Sequence, residues 1–175
     1  MRHHSLFPGL LLLLSTAFML SACSGNQVGR YYHPSGGYHN KAKLPSGTGG
    51  HRKTGKPYRI AGTTYYPLES SRGYDKTGVA SWYGRDFHGK LTANGEQYDM
   101  HAMSAAHKTL PLPTLVRVTN LENGRSIVVR VNDRGPFVKS RLIDLSYAGA
   151  KALAYDKQGT TRVRVQTLDG SRPPL

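Results

Sequence analysis

Three short runs put reactive side chains where plain structure does not require them. Asn132-Asp133-Arg134-Gly135-Pro136 ends an apolar stretch with an acid, a base and two turn formers. Gly95-Glu96-Gln97-Tyr98 closes a glycine-spaced segment with a second carboxylate, and Ala105-Ala106-His107-Lys108 sets an imidazole after small apolar residues. Each has an ordinary explanation: Asp133 as turn chemistry, Glu96 as a solvated acid, His107 as a hydrogen-bonded structural histidine. As a set they suit scission of a glycosidic bond, which needs a proton donor at the leaving oxygen and stabilisation of an oxocarbenium-like transition state. A carboxylic acid with a raised pKa donates that proton, the more so beside a second carboxylate. Histidine relays protons near neutral pH or orients the acid through a hydrogen bond.

The elements that must position these residues are short strands. Residues 78–83 (GVASWY) form a strand candidate, followed by a glycine-rich polar loop to Tyr98 and a short strand at 102–106. Residues 115–120 (LVRVTN) and 126–132 (SIVVRVN) alternate apolar and polar, and the Asn123-Gly124 step between them marks a hairpin turn. Ile143-Asp144-Leu145-Ser146 leads into a helix over 147–153 with a Ser or Asp cap, and residues 161–167 (TRVRVQT) alternate again. For Asp144, capping is the preferred role. Ahead of this domain, Tyr58-Arg59-Ile60 and Thr63-Thr64-Tyr65-Tyr66 flank Ala61-Gly62, the pattern of a small hairpin. Short strands with one helix point to a mainly β, small barrel. His88 and His101 lack metal-ligand spacing, so no metal is expected.

The N-terminus sets the compartment. Arg2, His3 and His4 precede an apolar stretch from Leu6 to Leu20 that is short for a bilayer span, which needs about 20 apolar residues. This is the pattern of a secretory signal. Leu20-Ser21-Ala22-Cys23 resembles a lipobox, and Cys23 is the only cysteine in the chain. Lipidation, with acyl chains such as palmitate, accounts for that lone thiol. Ser24 stands where an Asp would favour inner-membrane retention, so the resemblance implies a lipid anchor in the outer membrane, facing the periplasm. Residues 24–57 are rich in Gly, Ser, Lys, His and Tyr, too polar to offset their ordering entropy, and read as a disordered tether. The net charge is +14, from 24 basic and 10 acidic residues. Export argues against nucleic acid as the partner and favours an acidic wall polymer.

The runs GVASWYG, LTANGEQYD, MSAAHKTLPL, VRVTNLENGRSIVVRVNDRGPF and RLIDLSYAGAKAL, in that order, resemble the rare lipoprotein A family of septal-ring lytic transglycosylases. The resemblance implies a six-stranded double-psi β-barrel over 78–168, preceded by a signal peptide (1–22), a lipidated linker (23–57) and a hairpin preface (58–77). It implies cleavage of peptidoglycan glycan strands to 1,6-anhydro-muramyl ends, in wall remodelling and daughter-cell separation. The family's essential acid falls on Asp133, its second carboxylate on Glu96 and its histidine on His107. Trp82 and Tyr83 are candidates to stack on sugar, with core burial the alternative for each. Arg134 is a candidate to bind an acidic muramyl group, with a surface ion pair as the alternative. No cofactor is implied, and a monomer is expected. Many relatives carry a C-terminal SPOR domain, which residues 169–175 do not supply. An expansin-like module that binds the wall without cutting it is the competing expectation.

Overall fold

The computed structural model describes residues 50–168. The signal, Cys23, the tether as far as residue 49 and the tail 169–175 lie outside the described residues. A first hairpin pairs β1 (Tyr58–Ile60) with β2 (Thr63–Tyr65) across Ala61 and Gly62. Both turn residues have positive φ, 45° and 80°, as a two-residue turn that follows the strand twist requires. Six further strands close into a barrel: β3 (Asp75–Tyr83), β4 (Ser104–His107), β5 (Thr114–Asn120), β6 (Ser126–Asp133), β7 (Arg141–Ser146) and β8 (Thr161–Thr167), in the order β3-β7-β4-β6-β5-β8. β3 runs parallel to β7 and β4 to β6, and the other neighbours are antiparallel. This is the double-psi β-barrel that the resemblance implies.

Alternation explains the closure. Val116 and Val118 in β5, Val129 and Val131 in β6 and Val163 and Val165 in β8 are fully buried, while Arg117, Arg162 and Arg164 face outward. Ile143, Leu145, Leu110, Leu112, Leu153 and Tyr155 complete the core. Fully burying such a side chain contributes about 1.5–3 kcal/mol, and with a single cysteine in the chain no internal crosslink supplements it. The helix α1 (Tyr147–Ala152) is capped by Ser146, whose Oγ accepts from Gly149 N at 3.1 Å. Asp144, expected as the cap, instead lies within β7.

Several ends shift by a residue, β4 begins at Ser104 and ends at His107 rather than spanning 102–106, and two boundaries differ further. β3 begins at Asp75, three residues before the expected strand, because Asp75, Lys76 and Thr77 pair with Gln166, Val165 and Arg164 of β8. Their exposure removed the apolar signal. The run from Gly50 to Pro57, expected as the end of the tether, is hydrogen-bonded to the barrel. Lys53 and Leu112 exchange both backbone bonds (2.8 and 2.9 Å), and His51 N donates to Asn94 O at 2.6 Å. At Gly50 a Cβ would lie 2.5 Å from Asn94 Nδ2 and 2.6 Å from Glu96 Oε1, so only glycine fits against that loop.

Candidate active site

Asp133 is the last residue of β6, and a bulge sets its position. In the β4–β6 pairing Ala105 faces Val131 and Ala106 faces Asp133, leaving Asn132 unopposed. Bulges of this kind re-aim side chains and bend the strand. Oδ1 of Asp133 accepts from Ala93 N at 2.7 Å and from Arg134 N at 2.8 Å. Among the described residues, Oδ2 accepts no hydrogen bond. Burial raises the pKa of Asp133, against the two N–H groups and the Arg134 charge. A proton on this carboxyl therefore resides on Oδ2, the oxygen whose lone pairs are not engaged.

The Ala93 N–H reaches Asp133 because the loop of residues 92–96 is tightly folded. Thr92 N donates to Glu96 O (2.8 Å), Gly95 N donates to Thr92 O (2.9 Å), and Gly95 takes a φ of 91°. Glu96 fastens this loop to β6. Its carboxylate receives Arg130 Nη2 at 2.7 Å and Nε at 3.1 Å, Asn132 Nδ2 at 2.8 Å and Asn94 Nδ2 at 2.9 Å, with only 7% of the residue exposed. Burial alone would raise its pKa, but the Arg130, Asn132 and Asn94 donors outweigh that and hold it below the usual carboxylate range. Glu96 is thus ionised, with both oxygens occupied. It has no proton to give.

His107 ends β4 and is 2% exposed. Its Nδ1 accepts from Thr109 N (3.1 Å) and Leu110 N (3.0 Å), which places the ring proton on Nε2, 2.9 Å from the Tyr74 hydroxyl. Burial, with Arg134 and Lys108 adding, pushes its pKa down to about 3, so it is neutral at physiological pH. The Arg134 guanidinium bridges the same turn. Nη1 donates to His107 O (3.2 Å) and Leu110 O (2.6 Å), and the group lies 5.5 Å over the Tyr58 ring. Arg134 therefore makes neither a surface ion pair nor an outward-facing cation. Its Nη2 is buried without a hydrogen bond among the described residues.

The two aromatic candidates separate. Trp82 is half-buried, packed against the core with its ring 5.4 Å from that of Tyr147. Tyr83 stacks on Tyr98 at 4.3 Å, and its buried hydroxyl faces the Ser104 side chain. Its pKa lies well above the usual value because of burial, with the Asp133 and Asp144 charges adding. Tyr83 thus stands within electrostatic reach of two carboxylates.

The second of these was not singled out for chemistry by the sequence. Asp144 pairs with Ser81 on one side and Ala106 on the other, and Ala106 in turn pairs with Asp133. The two acids therefore stand two strands apart at one level, with about 10 Å between their Cα atoms from the usual strand spacing. Ser81 Oγ donates to Asp144 Oδ1 at 2.5 Å, and Arg141 Nη2 lies 3.6 Å from Oδ2. Burial nonetheless raises its pKa, opposed by Ser81, Arg141 and Lys108. A carboxylate between Ile143 and Leu145 of an apolar strand was the available signal.

Comparison with known proteins gives this geometry a family. The family profile described as lytic transglycolase matches residues 75–165. The endolytic peptidoglycan transglycosylase RlpA of Pseudomonas aeruginosa is 61% identical over 113 residues, 65% of this chain and 33% of that protein. Its namesake in Vibrio cholerae is 52% identical over 118 residues, 67% of this chain and 45% of that protein. That of Campylobacter jejuni is 45% identical over 158 residues, 87% of this chain and 56% of that protein. These matches span about a third to just over half of the relatives' length. With the profile covering more than half of its residues, the chain belongs to the rare lipoprotein A family of lytic transglycosylases.

Proposed function

We propose that this chain cuts peptidoglycan glycan strands as a lytic transglycosylase, with Asp133 as the single acid and base. The observation that carries this is the state of Asp133: half-buried, with a raised pKa, one oxygen fixed by two N–H groups and the other open. Protonated Oδ2 gives its proton to the glycosidic oxygen as the C1–O bond breaks and the electron pair stays on that oxygen. The oxocarbenium-like centre left at C1 is attacked by the sugar's own C6 hydroxyl oxygen. Asp133, now a carboxylate, takes the C6 hydroxyl proton and returns to its starting form. The product carries a 1,6-anhydro end, and no water is consumed. Between the steps the Ala93 and Arg134 N–H groups stabilise the carboxylate. Asp144 contributes negative charge across the same sheet, favouring the cationic transition state.

Glu96 and His107 are positioning residues in this scheme. Glu96 fixes the loop that presents the Ala93 N–H, and neutral His107 shapes the turn gripped by Arg134. Their engagement in structural bonds is also what favours the competing module, which would hold glycan without cutting it. Mass analysis of the products from purified glycan strands separates the two. General acid–base groups contribute about 10²–10⁴-fold, so Asp133→Asn should lose at least the upper part of that range while still binding strands. Wild-type protein that binds strands and releases no anhydro-muramyl ends would end the transglycosylase reading. Because the acid must be protonated, activity should fall as pH rises through the elevated Asp133 pKa.

The setting is proposed on the same footing. The Leu20-Ser21-Ala22-Cys23 run supports a lipoprotein held in the outer membrane by acylated Cys23, reaching into the periplasm to remodel the wall as daughter cells separate, and the relatives' names support peptidoglycan as the material it works on.

A further inference from the structure

The β1–β2 hairpin lies outside residues 75–165, the part that matches the family profile, yet it stands against the loop that follows Asp133. Tyr58 and Tyr65 are cross-strand partners whose rings stack at 5.2 Å and 16°. Phe137, four residues beyond Asp133, closes on both, at 6.4 Å from Tyr58 and 5.5 Å from Tyr65. Tyr58 is the inner member. Its hydroxyl donates to Lys108 O at 2.8 Å and its ring lies under the Arg134 guanidinium. Burial chiefly raises its pKa, and the Asp133 charge is near enough to add to that shift. Leu68 N, donating to Thr109 O at 2.7 Å, pins the chain just after the hairpin to the barrel.

The outer members are not fully covered. Phe137 is 41% exposed, and Tyr65 is half-buried. A cluster serving only to anchor the hairpin gains by burying such rings, since aromatic side chains dominate packing energetics. Exposed apolar surface rimmed by polar groups marks a binding surface, and here Arg59 and Lys139 are exposed on the same segments. The C–H face of a pyranose ring is apolar and broad enough to lie on an aromatic face, while its hydroxyls reach toward the rim.

We propose that Tyr65 and Phe137 form an aromatic ledge that holds a sugar ring of the glycan strand, one subsite removed from the bond cut at Asp133. The ledge is continuous with the acid through Tyr58 and Arg134, so a strand seated at Asp133 runs onto it. The inference rests on the glycan-cleaving reading but makes a separate claim: the hairpin is part of the substrate cleft.

The test uses the full chain with Phe137→Ala, Phe137→Tyr and Tyr65→Ala, measuring release of anhydro-ended product from purified glycan strands. Aromatic contacts are worth about 0.5–1.5 kcal/mol beyond area burial, so Phe137→Ala should raise KM about three- to tenfold. Because binding remote from the cut is removed equally from ground and transition states, kcat should stay within about twofold. Phe137→Tyr should restore KM, and Tyr65→Ala should raise KM as Phe137→Ala does. In parallel, the indole introduced by Phe137→Trp should shift its emission when strands are added, after subtraction of the Trp82 signal. An unchanged KM in Phe137→Ala, with wild-type protein cutting normally, overturns the ledge. So does an indole already shielded from a soluble quencher without glycan, which would assign the surface to the chain's own N-terminal segment or a second copy. If wild-type protein releases no product, the transglycosylase reading falls, and the emission measurement, which reads binding alone, still decides the ledge.

Discussion

A buried neutral histidine makes stability depend on pH in a way that exposes its role. His107 has a folded-state pKa of about 3, against an unfolded value of about 6.5. Above about pH 6.5 neither state binds the proton, and the native contacts of His107 cost nothing in charge. Below it the unfolded chain gains a proton that the native site refuses, so stability falls with acid by about 1.4 kcal/mol per pH unit. Integrated from pH 8 to pH 5, the loss is about 2 kcal/mol, nearly all of it expressed because pH 5 lies well above the folded value. His107→Asn keeps an acceptor near Nδ1 for the Thr109 and Leu110 N–H groups but cannot be protonated. Urea unfolding of both proteins at pH 8, 6.5 and 5 should show the variant less stable at pH 8 and the gap closing by about 2 kcal/mol at pH 5. Parallel pH profiles, or a His107 ring that titrates near 6.5 by nuclear magnetic resonance, would refute the assignment and reopen His107 as a proton carrier.

Two further outcomes follow from the same geometry, and a third from the sequence. Glu96→Gln leaves the largely buried Arg130 without its charge partner, so stability should drop by about 3 kcal/mol in denaturant titration. Its activity should fall without any change in the pH at which activity is lost, whereas a displaced basic limb would make Glu96 the acid. Asp144→Asn should raise the melting temperature at pH 7, since burial disfavours the charge, and should lower turnover about tenfold or more. Unchanged turnover in that variant would confine Asp144 to structure. Cys23→Ser should leave the precursor unprocessed and unacylated, which mass spectrometry of the membrane fraction checks; normal processing would remove the lipid anchor.

The strands were legible because their period is a local property. Val116-Arg117-Val118 and Val163-Arg164-Val165 declare an inner and an outer face without knowledge of their partners. The turns at Ala61-Gly62 and Asn123-Gly124 were equally local, needing positive φ at positions that glycine readily occupies. The site was legible only as a set of residue types. Glu96 passed for a possible proton donor because the Arg130 that ionises it lies 34 positions away and the Asn132 that binds its second oxygen lies 36 away. Asp144 passed for a helix cap because Ser81, its closest donor, is 63 positions upstream. Tyr83 and Trp82, adjacent in sequence, took different surroundings through contacts with Tyr98 and Tyr147 that no spacing announces.

A protein of net charge +14 faces a difficulty in keeping an acid protonated, because every nearby cation favours the carboxylate. The barrel solves it by burying the acid and by giving Arg134, the cation that acts on Asp133, and the cations of the neighbouring strands acceptors of their own. Arg130 is held by Glu96, and Arg141 lies against Asp144 and donates to Ser81. Lys108 donates to the backbone carbonyls of Val138 and Arg141. Arg134, next in sequence to the acid, turns its guanidinium onto the carbonyls of His107 and Leu110 and onto the Tyr58 ring. Its charge still lowers the Asp133 pKa, but burial wins. On this view Glu96 matters less for its own chemistry than for fixing the loop that presents the Ala93 N–H to Asp133, and His107 for offering a carbonyl to Arg134 while staying uncharged itself. The hairpin has the same logic, since Tyr58 supplies the aromatic face on which Arg134 rests.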